Sequence, residues 1–263
     1  MSEKSKKNQT IQYYDQNAAD FVENTRNVDF HVMQDEFIEG LPAGAKILDL
    51  GCGSGRDTKY FLEHGYRVDA IDGSAELCAL ASEYTGIPVK CQLFQELDAS
   101  EVYDGIWACS SLLHLSYGEL DEVLYRIEKA LKPQGILYMS FKHGVFEGER
   151  NGRYFLDFTE EKLEQLLKKR MESLGGRRSC TLECRLADVQ LSLAEYDRAE
   201  KTLEDLTARW PQRETPWVLR LQLAAALRDG AAIQKTLCQI EEKEVYLSAK
   251  GREIVRFWQG KQQ

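Results

Sequence analysis

Residues Ile47 to Asp57 read ILDLGCGSGRD, and a second acid, Asp72, closes the run VDAID. A short apolar segment ends in an acid, passes through a loop with glycine at every second position, and enters a stretch of helical spacing. That order predicts a strand, a tight turn and a helix. Gly51, Gly53 and Gly55 lack Cβ, so the backbone can take positive φ and press against a ligand. The helix that follows offers unpaired N–H groups and the positive end of its dipole. Asp72 stands 21 residues beyond Gly51, where a carboxylate ending the next strand can accept both hydroxyls of a ribose. The pattern points to a nucleoside-bearing cofactor.

Spacing separates the cofactor classes. The dinucleotide fingerprint G-x-G-x-x-G, started at Gly51, needs glycine at position 56, which is Arg56. A phosphate-binding loop needs Lys-Ser/Thr after the glycines, and none follows. The stretch reads h-h-D-h-G-x-G-x-G with Asp49 in the acidic place, which resembles the first motif of class I S-adenosylmethionine (SAM) methyltransferases. GRDTKYFLEHGYRVDAIDGS is similar to the subgroup that includes tellurite-resistance methyltransferases and related small-molecule enzymes, with Asp72, Gly73 and Ser74 as its D-x-S. YDGIWACSSLLHLS and ALKPQGILYMSFK match the family's fourth strand and its fifth, with Pro133-Gln134-Gly135 where the family usually has Pro-Gly-Gly. The resemblance covers roughly residues 10 to 168.

The resemblance implies a SAM site. Asp49, Gly51, Gly53 and Gly55 would line the methionine end, with Arg56 close enough to reach a carboxylate. Asp72 would hold the ribose, and Phe94 or Gln95, after the third strand, would pack adenine. Tyr13 and Tyr14 lie on a leading helix that folds over the cofactor in related enzymes. Ser110, Ser111 and His114 follow the fourth strand, at the sheet end where ligands bind in such folds, and His114 is the candidate catalytic base or acceptor clamp. Lys142 and His143 end the fifth strand; Glu147, Arg150 and Arg153 are read in a solvated loop after it. The chemistry implied is in-line methyl transfer to a small-molecule acceptor, in which orientation alone supplies roughly 7–11 kcal/mol. Two other readings stand beside it: an RNA or protein methyltransferase recruited by the C-terminal segment, and an adaptor that binds SAM without turnover.

Strands are predicted at 46–50, 66–71, 88–93, 103–109 and 136–142, with helices at 56–64, 74–85 and 118–131 between them. This alternation predicts an α/β fold with a doubly wound, Rossmann-like, mostly parallel sheet. Leading helices are predicted at 11–24 and 30–39, after a frayed tail over residues 1–9. Thr159 caps a further helix to about residue 169. A complete sheet of this class continues with two more strands, usually an antiparallel hairpin. The one candidate is Ser179 to Leu186, whose alternation equally suits a helix.

Composition changes near residue 170. The net charge of −9 divides into −10 for residues 1–170 and +1 for 171–263. The division predicts a SAM-binding domain over 1–170 and a small all-α segment over 171–263. In that segment Leu193, Ala199 and Leu203 recur 34 residues later as Leu227, Ile233 and Leu237, and EYDRA with Trp210-Pro211 resembles a tetratricopeptide (TPR) repeat. Two repeats are fewer than the roughly three needed for independent stability, which suggests a protein partner or self-association through this segment. The acidic balance argues against broad nucleic-acid binding. No apolar run reaches the roughly 20 residues that span a bilayer, and MSEKSKKNQT lacks an apolar signal core, so a cytoplasmic location is expected. Seven cysteines, with Cys180 and Cys184 the only close pair and no histidine beside it, read as free thiols rather than a metal site.

Overall fold

A computed structural model describes residues 3–173 and 180–261. The elements run α1 (Glu3–Gln16), α2 (Ala18–Thr25), α3 (His31–Glu39), β1 (Lys46–Leu50), α4 (Arg56–Glu63), β2 (Arg67–Asp72), α5 (Ala75–Thr85), β3 (Val89–Cys91), β4 (Tyr103–Ala108), α6 (Tyr117–Ala130) and β5 (Leu131–Met139). An antiparallel hairpin, β6 (Glu147–Arg150) and β7 (Arg153–Leu156), follows. Then come α7 (Glu160–Ser173), α8 (Cys180–Ser192), α9 (Tyr196–Arg209), α10 (Glu214–Ala226), α11 (Gly230–Glu242) and α12 (Ala249–Lys261). The chain divides into two units, Met1–Phe158 and Thr159–Gln263.

The first unit is built on a five-stranded sheet of order β3-β2-β1-β4-β5, with every pairing parallel. Sequence order reverses beside β1, whose neighbours are β2 and β4, and such a reversal opens a crevice at the carboxyl ends of the strands. Strands covered on both faces read as continuous apolar runs. Ile47, Leu48, Leu50, Ile106 and Trp107 are at most 1% exposed accordingly. Trp107 stacks on Tyr138 with ring centres 3.9 Å apart and packs edge-on against Phe61.

Several expectations are corrected. Residues 3–9, read as a frayed tail, are helical from Glu3. The single helix expected over 11–24 is broken at Asn17 into α1 and α2. The loop expected after the fifth strand is the β6–β7 hairpin, a separate two-stranded sheet. Its turn is Asn151-Gly152, both in the left-handed region (φ 53° and 75°), between the paired Arg150 and Arg153. Two-residue turns of this kind match the twist of the flanking strands, and Asn-Gly is their strongest sequence signal. The strand candidate at Ser179–Leu186 is helical from Cys180; Ser179 and the side chains of Cys180 and Cys184 lie outside the described residues. The first unit ends at Phe158 rather than near residue 170, because α7 packs on α8.

All the described elements of the second unit are helices. Two apolar clusters hold it, one around Ala187, Leu203, Leu206 and Leu219, the other around Trp217, Leu221, Ile233 and Leu237. The α8–α9 and α10–α11 turns share one geometry. Ala194 and Arg228, 34 residues apart, both take left-handed φ (56° and 55°). Glu195 N–H reaches Gln190 C=O and Asp229 N–H reaches Ala224 C=O, while Ala194 and Arg228 donate to Leu191 and Ala225. This paired bonding is the Schellman stop of a helix.

Candidate active site

A cavity of about 410 Å³ opens at the carboxyl ends of the strands. Its walls come from the loops after all five parallel strands, from α1 and α2, and from β7. Gly51, Cys52, Gly53 and Ser54 form one side, with Asp72, Gly73 and Ser74 beside them. Gly51 and Gly53 sit at φ 85° and 53°. A Cβ on Gly51 would stand 2.5 Å from Ser111 Cβ and 3.2 Å from Phe94, so this position admits only glycine.

Asp72 is tied to that loop. Its Oδ2 accepts from Gly53 N–H at 3.0 Å and its Oδ1 from Ser74 N–H at 2.9 Å. Burial raises its pKa above the usual carboxylate range, and the N–H groups oppose that rise. Phe94 and Gln95 line the cavity after β3, and Gln95 Nε2 is buried with no hydrogen-bond partner among the described residues. Ser110 lines it after β4, at φ 50°, with its N–H donating to Ser140 Oγ at 2.8 Å. Burial lifts the Cys109 thiol to about 11 and holds Cys52 well above its ordinary value, so both thiols stay protonated.

Three residues expected at the cofactor stand elsewhere or are otherwise engaged. Asp49 is 1% exposed and off the cavity wall, accepting from the Thr58 hydroxyl at 2.5 Å. Burial, and then the neighbouring Asp57, pushes its carboxyl up to about 8. Gly55, the N-cap of α4, faces α5; a Cβ there would meet Thr85 at 2.9 Å and Ala81 at 3.2 Å. Arg56 reaches the wall, but its Nε and an NH2 donate to Asp57 at 2.8 and 2.9 Å. Asp57 also accepts from Gln34 at 2.6 Å and from Trp107 Nε1 at 2.9 Å. Charge-assisted bonds from four donors make this buried acid the brace under the loop, a role with no sequence signal beyond its place after Arg56.

Another part of the cavity wall is a polar chain. His114 Nδ1 is 2.7 Å from Tyr154 C=O, which can only accept, so Nδ1 carries the hydrogen. Nε2 is then an acceptor, and Tyr14 O–H donates to it at 2.8 Å. Tyr14 in turn accepts from Arg153 at 3.3 Å. Burial first, then the charges of Arg153 and Lys142, pushes the His114 pKa down to about 4, so the imidazole is neutral at neutral pH. Burial raises the Tyr14 pKa. Tyr13 stays off the wall, its ring 4.5 Å from the Arg153 guanidinium. Lys142 and Arg153 line the cavity, whereas His143, Glu147 and Arg150 do not. β7, which supplies Tyr154, Arg153 and Phe155, was the element missed from the sequence; the Asn151-Gly152 pair was the signal for it.

Comparison with known proteins agrees with this geometry. Residues 48–137 match the family model described as a methyltransferase domain. YqeM of Bacillus subtilis, a provisionally named methyltransferase, is 27% identical over 175 residues, 64% of this chain and 69% of that one. The ubiquinone biosynthesis O-methyltransferase of Bradyrhizobium is 29% identical over 37% of this chain and 40% of its own. Among solved structures, the 1,6-didemethyltoxoflavin-N1-methyltransferase of Burkholderia thailandensis, bound to 1,6-didemethyltoxoflavin and S-adenosylhomocysteine (SAH), is 26% identical. That likeness has a TM-score of 0.55 and covers 65% of this chain and 80% of the other. The parallel sheet, the glycine loop and these matches define a class I methyltransferase domain. The chain is a SAM-dependent methyltransferase.

Proposed function

We propose that the chain transfers the methyl group of SAM to a small-molecule acceptor, with both held in the cavity described above. When bound, SAM supplies a methyl already activated on a sulfonium. In this reading Gly51 and Gly53 run along its amino-acid part, Asp72 takes the ribose hydroxyls, and Phe94 and Gln95 receive adenine. Ser110, Tyr14 and Arg56 complete the wall, while Asp49 and Gly55 fix the loop from behind. One observation carries it: a positive-φ glycine loop bonded to Asp72 shares one cavity with Phe94 and Gln95. The cavity falls within the range of about 300–1,000 Å³ typical of small-molecule sites, and ubiquinone and toxoflavin enzymes stand among the relatives.

His114 acts in this scheme as base or clamp. Its fixed Nδ1–H tautomer leaves Nε2 to take a proton from an acceptor, directly or through the Tyr14 hydroxyl. A neutral imidazole also adds no positive charge to those of Arg153 and Lys142 nearby. For the second unit we infer a TPR-like helical stack that binds a protein or a second copy, supported by the 34-residue recurrence of its helix stops and of Ala199/Ile233 and Leu203/Leu237 in the core. The reading keeps the cytoplasmic location; no helix among the described residues is long and apolar enough to cross a membrane.

Calorimetry with SAM tests the cofactor assignment. We expect saturable binding that Asp72→Ala weakens by about 10–100-fold, the worth of hydrogen bonds to a charged group. No binding to the intact chain sinks the reading. Label transfer from SAM to pools of thiols, amines, hydroxylated metabolites and tRNA tests the acceptor class; labelling of tRNA alone replaces the small-molecule assignment.

A further inference from the structure

Three cations surround one ring on the wall of the cavity. Phe155 is 3% exposed, and the side-chain charges of Lys142, Arg150 and Arg153 stand 4.8, 4.5 and 5.1 Å from its centre. Arg150 has a counter-charge: its guanidinium donates to both oxygens of Asp157 at 3.2 and 3.3 Å. Lys142 and Arg153 have none within ion-pair distance among the described residues. The hydrogen bond from Arg153 NH1 goes to the neutral Tyr14 hydroxyl, and its Nε is buried without a partner among the described residues.

The two carboxylates on the cavity wall do not balance these charges. Asp57 is engaged by Arg56, Gln34 and Trp107, and Asp72 by the amides of Gly53 and Ser74. A guanidinium held among aromatic rings without an anion is costly unless a ligand supplies one. Its planar fork suits a carboxylate, and an exposed lysine at the rim raises the local concentration of anions.

We propose that Lys142 and Arg153 are the specificity residues of the acceptor site, and that they select an acceptor carrying a carboxylate or comparable oxyanion, held beside Phe155 and the Tyr14–His114 pair. This rests on the reading that SAM occupies the half of the cavity formed by the glycine loop and Asp72. Arg153 positions the acceptor's anionic group while Tyr14 and His114 face the atom that is methylated.

The test uses the full chain loaded with SAH, titrated with benzoate and with benzamide, a matched pair differing in charge. Benzoate should bind at least tenfold more tightly. Lys142→Met and Arg153→Gln should each erase most of that preference, Arg153→Lys should keep part of it, and SAH affinity should stay within threefold in all three. Equal binding of the two probes overturns the proposal. So does a preference that survives in the variants while SAH affinity collapses, since the cations then serve the cofactor's own carboxylate. An intact chain that fails to bind SAH at all instead removes the reading on which the proposal rests.

Discussion

Tyr14 donates its hydroxyl hydrogen to His114 Nε2 at 2.8 Å, joining a leading helix to the turn after β4 across a hundred residues of chain. Both residues line the cavity, and the imidazole has one partner on each nitrogen. If Nε2 handles the acceptor's proton, His114→Gln lowers kcat by about 10²-fold or more, with SAM affinity little changed. Tyr14→Phe removes the hydroxyl alone and separates the two roles. A fall in kcat at unchanged KM for the acceptor marks proton transfer, whereas a rise in KM with kcat preserved marks a wall residue.

The same histidine sets a pH dependence of folding. Burial depresses its pKa from 6.5 to about 4. The unfolded chain takes up a proton here as pH falls through 6.5, and the folded chain resists until about 4. Stability from this site is therefore whole above about 6.5 and is lost progressively down to about 4, an amount of the order of 3 kcal/mol. Urea unfolding at roughly pH 7.5 and 4.5 should show a larger acid loss in the natural chain than in His114→Gln. Equal losses would show that the imidazole is not held neutral by the fold.

The hairpin turn is a second lever on the site. Gly152 sits at φ 75°, and a Cβ there would lie 3.1 Å from Tyr13 Cδ2. Gly152→Ala therefore combines a left-handed penalty of roughly 1–2 kcal/mol with pressure on α1. Chemical denaturation should report that loss. Because β7 supplies the Tyr154 carbonyl that fixes His114, kcat should fall as well, although residue 152 is off the cavity wall.

In the second unit, Arg228 occupies a left-handed helix stop at φ 55°. Glycine takes that conformation without the Cβ penalty, so Arg228→Gly should raise stability by about 0.5–1 kcal/mol. A lowered midpoint in thermal or urea unfolding counts against the Schellman geometry at this turn.

Much of the first unit was legible in local pattern. Apolar runs such as KILDL and YDGIWA predict strands, the stripe Leu120, Val123, Leu124, Ile127 predicts a core-facing helix, and all of them form as such. The positive φ at Gly51, Gly53 and Gly55 follows from the glycine spacing itself. Alternation over the few residues from Ser179 to Leu186 suits a strand or a helix, and the charged stretch around Arg150–Arg153 carries the local pattern of a solvated loop although it forms the hairpin. Those charges turn inward only because Phe155 and Asp157 receive them.

By itself, the sequence determined the order of elements, the glycine loop and the acid that closes β2, because strand period, helix period and the freedom of glycine act over a few neighbouring residues. Tertiary structure decided which acids face the cavity. Asp49 turns away to Thr58, and Asp57, at the wall, is taken up by Arg56, Gln34 and Trp107, while Asp72 stays beside the loop amides. It also decided the state of His114, since a neutral imidazole with a fixed tautomer depends on Tyr14, Arg153 and Tyr154 arriving from distant segments. Burial and charge at a site are sums over everything packed around it, and no stretch of local sequence contains that sum.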